Sequence, residues 1–182
     1  MNRLFAVVFA AFLTLPVLVL QEFGGGPELV GLLFAVLGIS GSIAVLLVGR
    51  VSTAGRERQL LAGSMLGHAA AFALLLLFPS PIIAAIAMIV LGISSGPFDI
   101  VLFTLRQRRT DPAWLGRAFA VSMALNFAGF PIGSAIGGAV VPISIAAALA
   151  LAIFFQVLGA LFSMVTIPGD EPAQDAAARA VR

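Results

Sequence analysis

The side chains able to do chemistry in this sequence sit where chemistry is costly, inside long apolar stretches. Asp99 is the only acidic residue within one of them. An ionisable group in hydrocarbon costs a few kcal/mol or more, so it is a functional candidate by default. It falls seven residues before Arg106, about 10 Å from the basic end of its stretch at about 1.5 Å per residue. That depth suits a protonatable coupling carboxylate or a contact for a cationic substrate. The structural alternative is a clasp onto Arg50 or another arginine at the same end. Asn126 lies near mid-depth beside Gly129 and Pro131, where it can bond a solute or a neighbouring helix. His68 and Gln156 also fall at mid-depth, and satisfied interhelical hydrogen bonds are expected there rather than a proton relay. Gly38-Ile39-Ser40-Gly41 has the G-x-S-G shape of an intramembrane serine hydrolase. Ser40 and His68 lie at similar depth on adjacent stretches, so a nucleophile–base dyad is geometrically conceivable. No third residue orients the histidine and no path for water is evident, which leaves the hydrolase last among the alternatives.

Six apolar stretches must position these residues. Of the 182 residues, 61% are hydrophobic and 10% charged, and the mean hydropathy is +1.15. A soluble domain has about 45–50% apolar and about 25% charged residues. So few charges cannot build a water-facing surface, and lipid must be the outer solvent. A spanning helix needs about 20 apolar residues, and helices are expected at about 4–20, 29–48, 59–78, 82–105, 118–140 and 143–167. The fold expected is an all-α polytopic membrane protein: a six-helix transmembrane bundle over 1–168 and a flexible, Ala-rich polar tail over 169–182. The first stretch has only Arg3 before it and no small-x-small cleavage site after it, so it reads as a retained helix rather than a removed signal peptide.

Threaded back and forth, these stretches gather all ten arginines on one face: Arg3, Arg50, Arg56, Arg58, Arg106, Arg108, Arg109, Arg117, Arg179 and Arg182. The opposite connections hold only Glu22 and Glu28. Lys/Arg bias across short loops reports orientation, so both termini are expected in the cytoplasm and the chain in the inner (plasma) membrane. The pI near 11 then reflects arginines meeting anionic headgroups, worth about 1 kcal/mol each, and not nucleic-acid binding. The absence of cysteine and the single histidine exclude disulfides, thiolate metal sites and a His-rich metal site within one chain. No nucleotide-binding loop is present and no cofactor is expected. Gly31, Phe34, Ala35 and Val36 match Gly116, Phe119, Ala120 and Val121 in spacing, on helices that run in opposite directions. That suits two inverted three-helix repeats. Glycines four apart at Gly63/Gly67, Gly92/Gly96 and Gly129/Gly133/Gly137 lay small-residue stripes along which helix backbones can approach closely. Pro16, Pro97 and Pro131 lie inside spans, where each removes a backbone hydrogen bond and can kink its helix.

The segment Gly49-Arg-Val-Ser-Thr-Ala-Gly55-Arg56-Glu-Arg58, between helices 2 and 3, resembles the second copy of the loop pattern Gly-x-x-x-Asp-Arg-x-Gly-Arg-Arg of the major facilitator superfamily. Thr53 and Ala54 stand where that pattern has Asp and Arg, and one spacer residue is missing. Gly92-Ile-Ser-Ser-Gly96-Pro97, Leu105-Arg-Gln107, Leu115-Gly116-Arg117, Pro131-Ile-Gly133 and Gly137-Gly138 follow in order. They look like the tenth and eleventh helices of bacterial drug or small-molecule exporters in that superfamily. The resemblance covers about residues 3–168 and corresponds to the C-terminal six-helix half. It implies that Gly49, Arg50, Gly55, Arg56 and Arg58 form a cytoplasmic gating loop. It also implies that helices 1 and 4 line the central cavity, helices 2 and 5 face a partner half, and helices 3 and 6 lie outside. Asp99, Ser94, Ser95 and Thr14 thereby become transport-pathway candidates, with Asn126 next, while His68 and Gln156 become structural. The partner implied is a second six-helix half, either a second copy in a C2 homodimer or a separate N-terminal half.

The activity implied is ion-gradient-driven efflux of a small-molecule substrate by alternating access, with no catalytic residue. The alternatives are a non-transporting six-helix scaffold and a homo-oligomeric pore.

Overall fold

The computed structural model describes residues 14–51, 53 and 55–167. Expectations that fall on 1–13 and 168–182, including Arg3, Arg179, Arg182, most of the first helix and the polar tail, lie outside the described residues, as does the side chain of Asn126. Every regular element among the described residues is helical: α1 (residues 14–21), α2 (Pro27–Val48), α3 (Glu57–Leu77), α4 (Pro81–Arg109), a 3₁₀ turn (Pro112–Trp114), α5 (Leu115–Val140) and α6 (Ile145–Thr166). The five helices α2 to α6 are each long and apolar enough to cross a membrane. Local chemistry sets their starts. Pro27 and Pro81 occupy first-turn positions where a missing N–H costs nothing. Ser80 Oγ accepts from Ile83 N at 3.3 Å, and Ser144 Oγ accepts from Ala147 N at 3.1 Å, capping α4 and α6.

The structure departs from the expected boundaries mainly at the basic end. The segment 106–117, expected as a loop, is largely helical. α4 continues through Arg109, because nothing in Arg106-Gln107-Arg108-Arg109 opposes a helix. The chain turns only at Asp111–Pro112, where proline disfavours helical backbone in the residue before it. Asp111 Oδ1 accepts from Ala113 N at 2.8 Å and starts the 3₁₀ turn, so α5 begins at Leu115 rather than 118. At the other end α6 begins at Ile145, after its serine cap, rather than at 143. Between α2 and α3, Gly55 has φ +77°, a left-handed backbone that side chains rarely adopt.

α4 is the central helix, packing against α2 on one side and α3 on the other, while α3 also packs against α6. α5 touches α6 only slightly. The buried apolar residues fall into two clusters. One, near the connections 22–26, 78–80 and 141–144, contains Leu15, Leu33, Phe72, Leu75, Met88, Leu91 and Leu149. The other, near the basic end, contains Leu61, Met65, Phe98, Val101, Leu102 and Ala160. Between them, along α3, α4 and α6, lie His68, Ser95 and Gln156. At the basic end Arg108 Nη1 donates to Glu57 Oε1 at 2.7 Å, tying the end of α4 to the start of α3.

The groove between α2 and α4 as candidate functional site

Glycine brings α2 and α4 together. A Cβ on Gly92 would stand 2.6 Å from the Leu37 carbonyl oxygen and 2.8 Å from the Gly41 amide nitrogen. A Cβ on Gly96 would stand 2.8 Å from both Ala44 Cβ and Val45 N. Only a bare backbone fits at these two points, so the small-residue stripe expected on α4 is the seam with α2. Beside that seam opens a groove of about 540 Å³, lined among others by Ser42, Val45, Ser95 and Asp99.

Asp99 is exposed in this groove, and among the described residues no arginine pairs with it. The expected alternative, a clasp onto Arg50, is not formed; Arg50 is exposed at the end of α2, and the ion pair found at the basic end joins Arg108 to Glu57 instead. Ser95 lies one turn before Asp99 on α4. Its hydroxyl donates to the Leu91 carbonyl at 2.8 Å, and its Oγ lies 3.1 Å from His68 Nε2. With the Ser95 hydroxyl assigned to the Leu91 carbonyl, the contact takes the imidazole Nε2–H as its donor, an assignment that follows from the network. His68 is buried and its ring meets Phe98 at 6.2 Å between centroids.

The other candidates separate from the groove. Ser94 faces α3, packed over Gly67. Thr14 is buried inside the bundle at 1% exposure. Gln156 is buried on α6, and its Nε2 has no hydrogen-bond partner among the described residues, so the satisfied bond expected for it is absent at that nitrogen. Pro97 and Pro131 lie within continuous helical segments, and Pro16 within α1. Of the loop residues, Gly49 ends α2 in ordinary helical backbone, Gly55 makes the left-handed turn, Arg56 is exposed, and Arg58 is half-buried in the first turn of α3. The Ser40–His68 dyad does not form. His68 Nε2 is engaged by Ser95, and Ser40 donates to the Val36 carbonyl at 2.8 Å while packing against Gly92.

Sequence reasoning missed Ser42 and the α2 side of the groove. The signal was present in the spacing: Gly38, Gly41 and Ser42 on α2 are set at helical intervals, as are Gly92, Ser95, Gly96 and Asp99 on α4. A second surface groove, of about 440 Å³, runs along the start of α5 past Trp114, Arg117 and Val121, with the Arg117 guanidinium 5.1 Å above the Trp114 ring.

A sequence profile of the Major Facilitator Superfamily matches residues 4–181. An uncharacterized MFS-type transporter of Sinorhizobium fredii, y4rN, is 39% identical over 170 residues, covering 88% of this chain and 40% of that protein. The enterobactin exporter EntS of Escherichia coli is 28% identical, and that of Shigella flexneri 27% identical, each over 142 residues covering 76% of this chain and 34% of the exporter. The chain thus spans less than half the length of these curated relatives.

Proposed function

The chain belongs to the major facilitator superfamily, and we propose that it acts as the C-terminal half of an exporter in which its six helices, both termini on the cytoplasmic side, rock against a second six-helix bundle. It is a multi-pass, all-helical membrane protein of a transporter family. The reading goes further, to ion-gradient-driven efflux of a small molecule by alternating access, with the two three-helix repeats inverted and the gating loop around Gly55 and Arg56 on the cytoplasmic side.

One observation carries this reading: Asp99 is exposed on the outside of a single bundle, in a groove at membrane depth, without an ion pair among the described residues. A carboxylate facing hydrocarbon costs about 3 kcal/mol or more. The groove is therefore a wetted wall of a pathway, closed by something besides lipid. α2 supports the same arrangement. It buries only Leu33 and Ala44 and leaves Leu32, Ile39, Ile43 and Leu46 more than half exposed, a helix face awaiting a neighbour. The second bundle is either another copy or a separate N-terminal half.

Flux measured in proteoliposomes tests the proposal, with the chain alone and with a co-expressed first half. Solute export that depends on a pH or sodium gradient, and that is lost in Asp99→Asn while assembly persists, is the expected result. Wild-type flux in Asp99→Asn overturns it, as does passive flux that saturates poorly, the behaviour of a pore.

A further inference from the structure

The polar atoms of the α2–α4 groove share one property. Every hydroxyl proton in it is already spent inside its own helix. Ser42 Oγ donates to the Gly38 carbonyl at 2.8 Å, and Ser95 Oγ donates to the Leu91 carbonyl at 2.8 Å. His68 Nε2–H, at 3.1 Å, holds Ser95 from the buried side and leaves that oxygen one free lone pair. Asp99, once ionised, only accepts. Among the described residues the rest of the lining is Leu, Val and Gly, with no Arg, Asn, Gln or Trp. Among the described residues the groove thus offers acceptors and one negative charge, and no free donor.

We propose that this groove selects its solute by hydrogen-bond donors: it takes an amphiphile whose head is a primary ammonium, with the apolar body on Val45 and Leu46. A quaternary ammonium supplies the charge but no N–H, and a carboxylate, sulfate or phosphate head meets only acceptors. Charge-assisted hydrogen bonds to Asp99, with Ser95 and Ser42 accepting beside it, carry the selection. A volume of about 540 Å³ lies within the span typical of small-molecule sites. His68 is a positioning residue here, since its N–H fixes which way Ser95 presents its oxygen. This rests on reading the groove as a pathway wall.

The chain's single histidine supplies the probe. In nanodiscs, the ¹⁵N imidazole resonances of His68 report through Ser95 on whatever enters the groove. The probes are 2-phenylethylammonium, its N,N,N-trimethyl analogue and phenylacetate. The primary ammonium should shift the signal at about tenfold lower concentration than the trimethyl compound, the ratio expected for one hydrogen bond to a charged group, and phenylacetate should not shift it. Asp99→Asn and Ser42→Ala, two variants that leave the His68–Ser95 bond in place, should each shrink that ratio. Equal potency of the two ammonium probes overturns the proposal, as does no shift with either, a phenylacetate response as strong, or a ratio unchanged in both variants. Gradient-driven flux that persists alongside equal potency removes the donor rule and leaves the transporter reading standing. An intact ratio without flux does the reverse.

Discussion

Replacing Gly96 by alanine should loosen the α2–α4 seam by about 2 kcal/mol. The new Cβ would meet Ala44 Cβ and Val45 N at 2.8 Å and the Ala44 carbonyl carbon at 2.9 Å. Comfortable carbon contacts begin near about 3.5 Å, so α2 must retreat by roughly 0.7 Å, and backbone atoms on a helix cannot move singly. A gap of about 0.5–1 Å forfeits a quarter to a half of each contact's well, and a contact is worth about 0.1–0.2 kcal/mol. A seam several turns long holds dozens of such contacts, which brings the loss to about 2 kcal/mol, within the range of about 1–3 kcal/mol usual for overpacking. Lipid tails are as apolar as the side chains exposed, so no hydrophobic term offsets the loss. Gly63 provides the control: it is exposed on α3, and a methyl added there would meet nothing within 4 Å. Alanine at that position should be neutral or slightly stabilising through helix propensity. Both variants can be unfolded by SDS in mixed micelles and followed by circular dichroism. A Gly96→Ala midpoint within about 0.5 kcal/mol of the Gly63→Ala midpoint would refute the close-crossing argument.

Gln156→Leu should stabilise the bundle by about 1 kcal/mol in the same assay, because it removes a buried amide nitrogen without a partner among the described residues, and destabilisation of that size would point to an unseen bond. Ser144→Ala should cost about 1 kcal/mol by uncapping α6, seen as the same midpoint shift, whereas Ser144→Asn should be nearly silent. Arg108→Gln should change stability by less than about 1 kcal/mol, since the Arg108 side of its bond to Glu57 is exposed, and a larger loss would mean that this pair holds the basic end together.

The five helices α2 to α6 were legible because their signal is a long-range average: about twenty apolar residues between Gly, Pro or Arg survive any single misjudged position. The tie between α3 and α4 at the basic end joins Arg108 to Glu57, which lies between Arg56 and Arg58 in the sequence. What composition could not give was the direction each polar side chain faces. Ser94 and Ser95 are neighbours in sequence and about 100° apart on the helix, so one packs over Gly67 and the other reaches both His68 and the groove. Depth counting placed Ser40 level with His68, yet the imidazole turns to α4 and the hydroxyl to its own helix. The extension of α4 through Arg109 was missed for a related reason: apolarity marks where the hydrocarbon ends, not where the helix does.

Stability alone does not account for the layer of His68, Ser95 and Gln156 between the two apolar clusters. Hydrogen bonds between membrane helices contribute about 0.6 kcal/mol on average, and an unpartnered buried amide nitrogen costs about 1–3 kcal/mol, so the layer as a whole is close to neutral or unfavourable. Leucine or alanine at these positions would join the clusters into one continuous core. The contact that does form is the one that reaches outward: His68 Nε2 meets Ser95, the only member of the layer that also lines the groove. With its proton on Leu91 and one lone pair on His68, Ser95 has a single orientation to offer whatever lies beside Asp99. A polar group buried at some cost to the core thus sets the chemistry of a surface three helices share in positioning: α3 supplies the donor, α4 the hydroxyl and the carboxylate, and α2 the opposite wall.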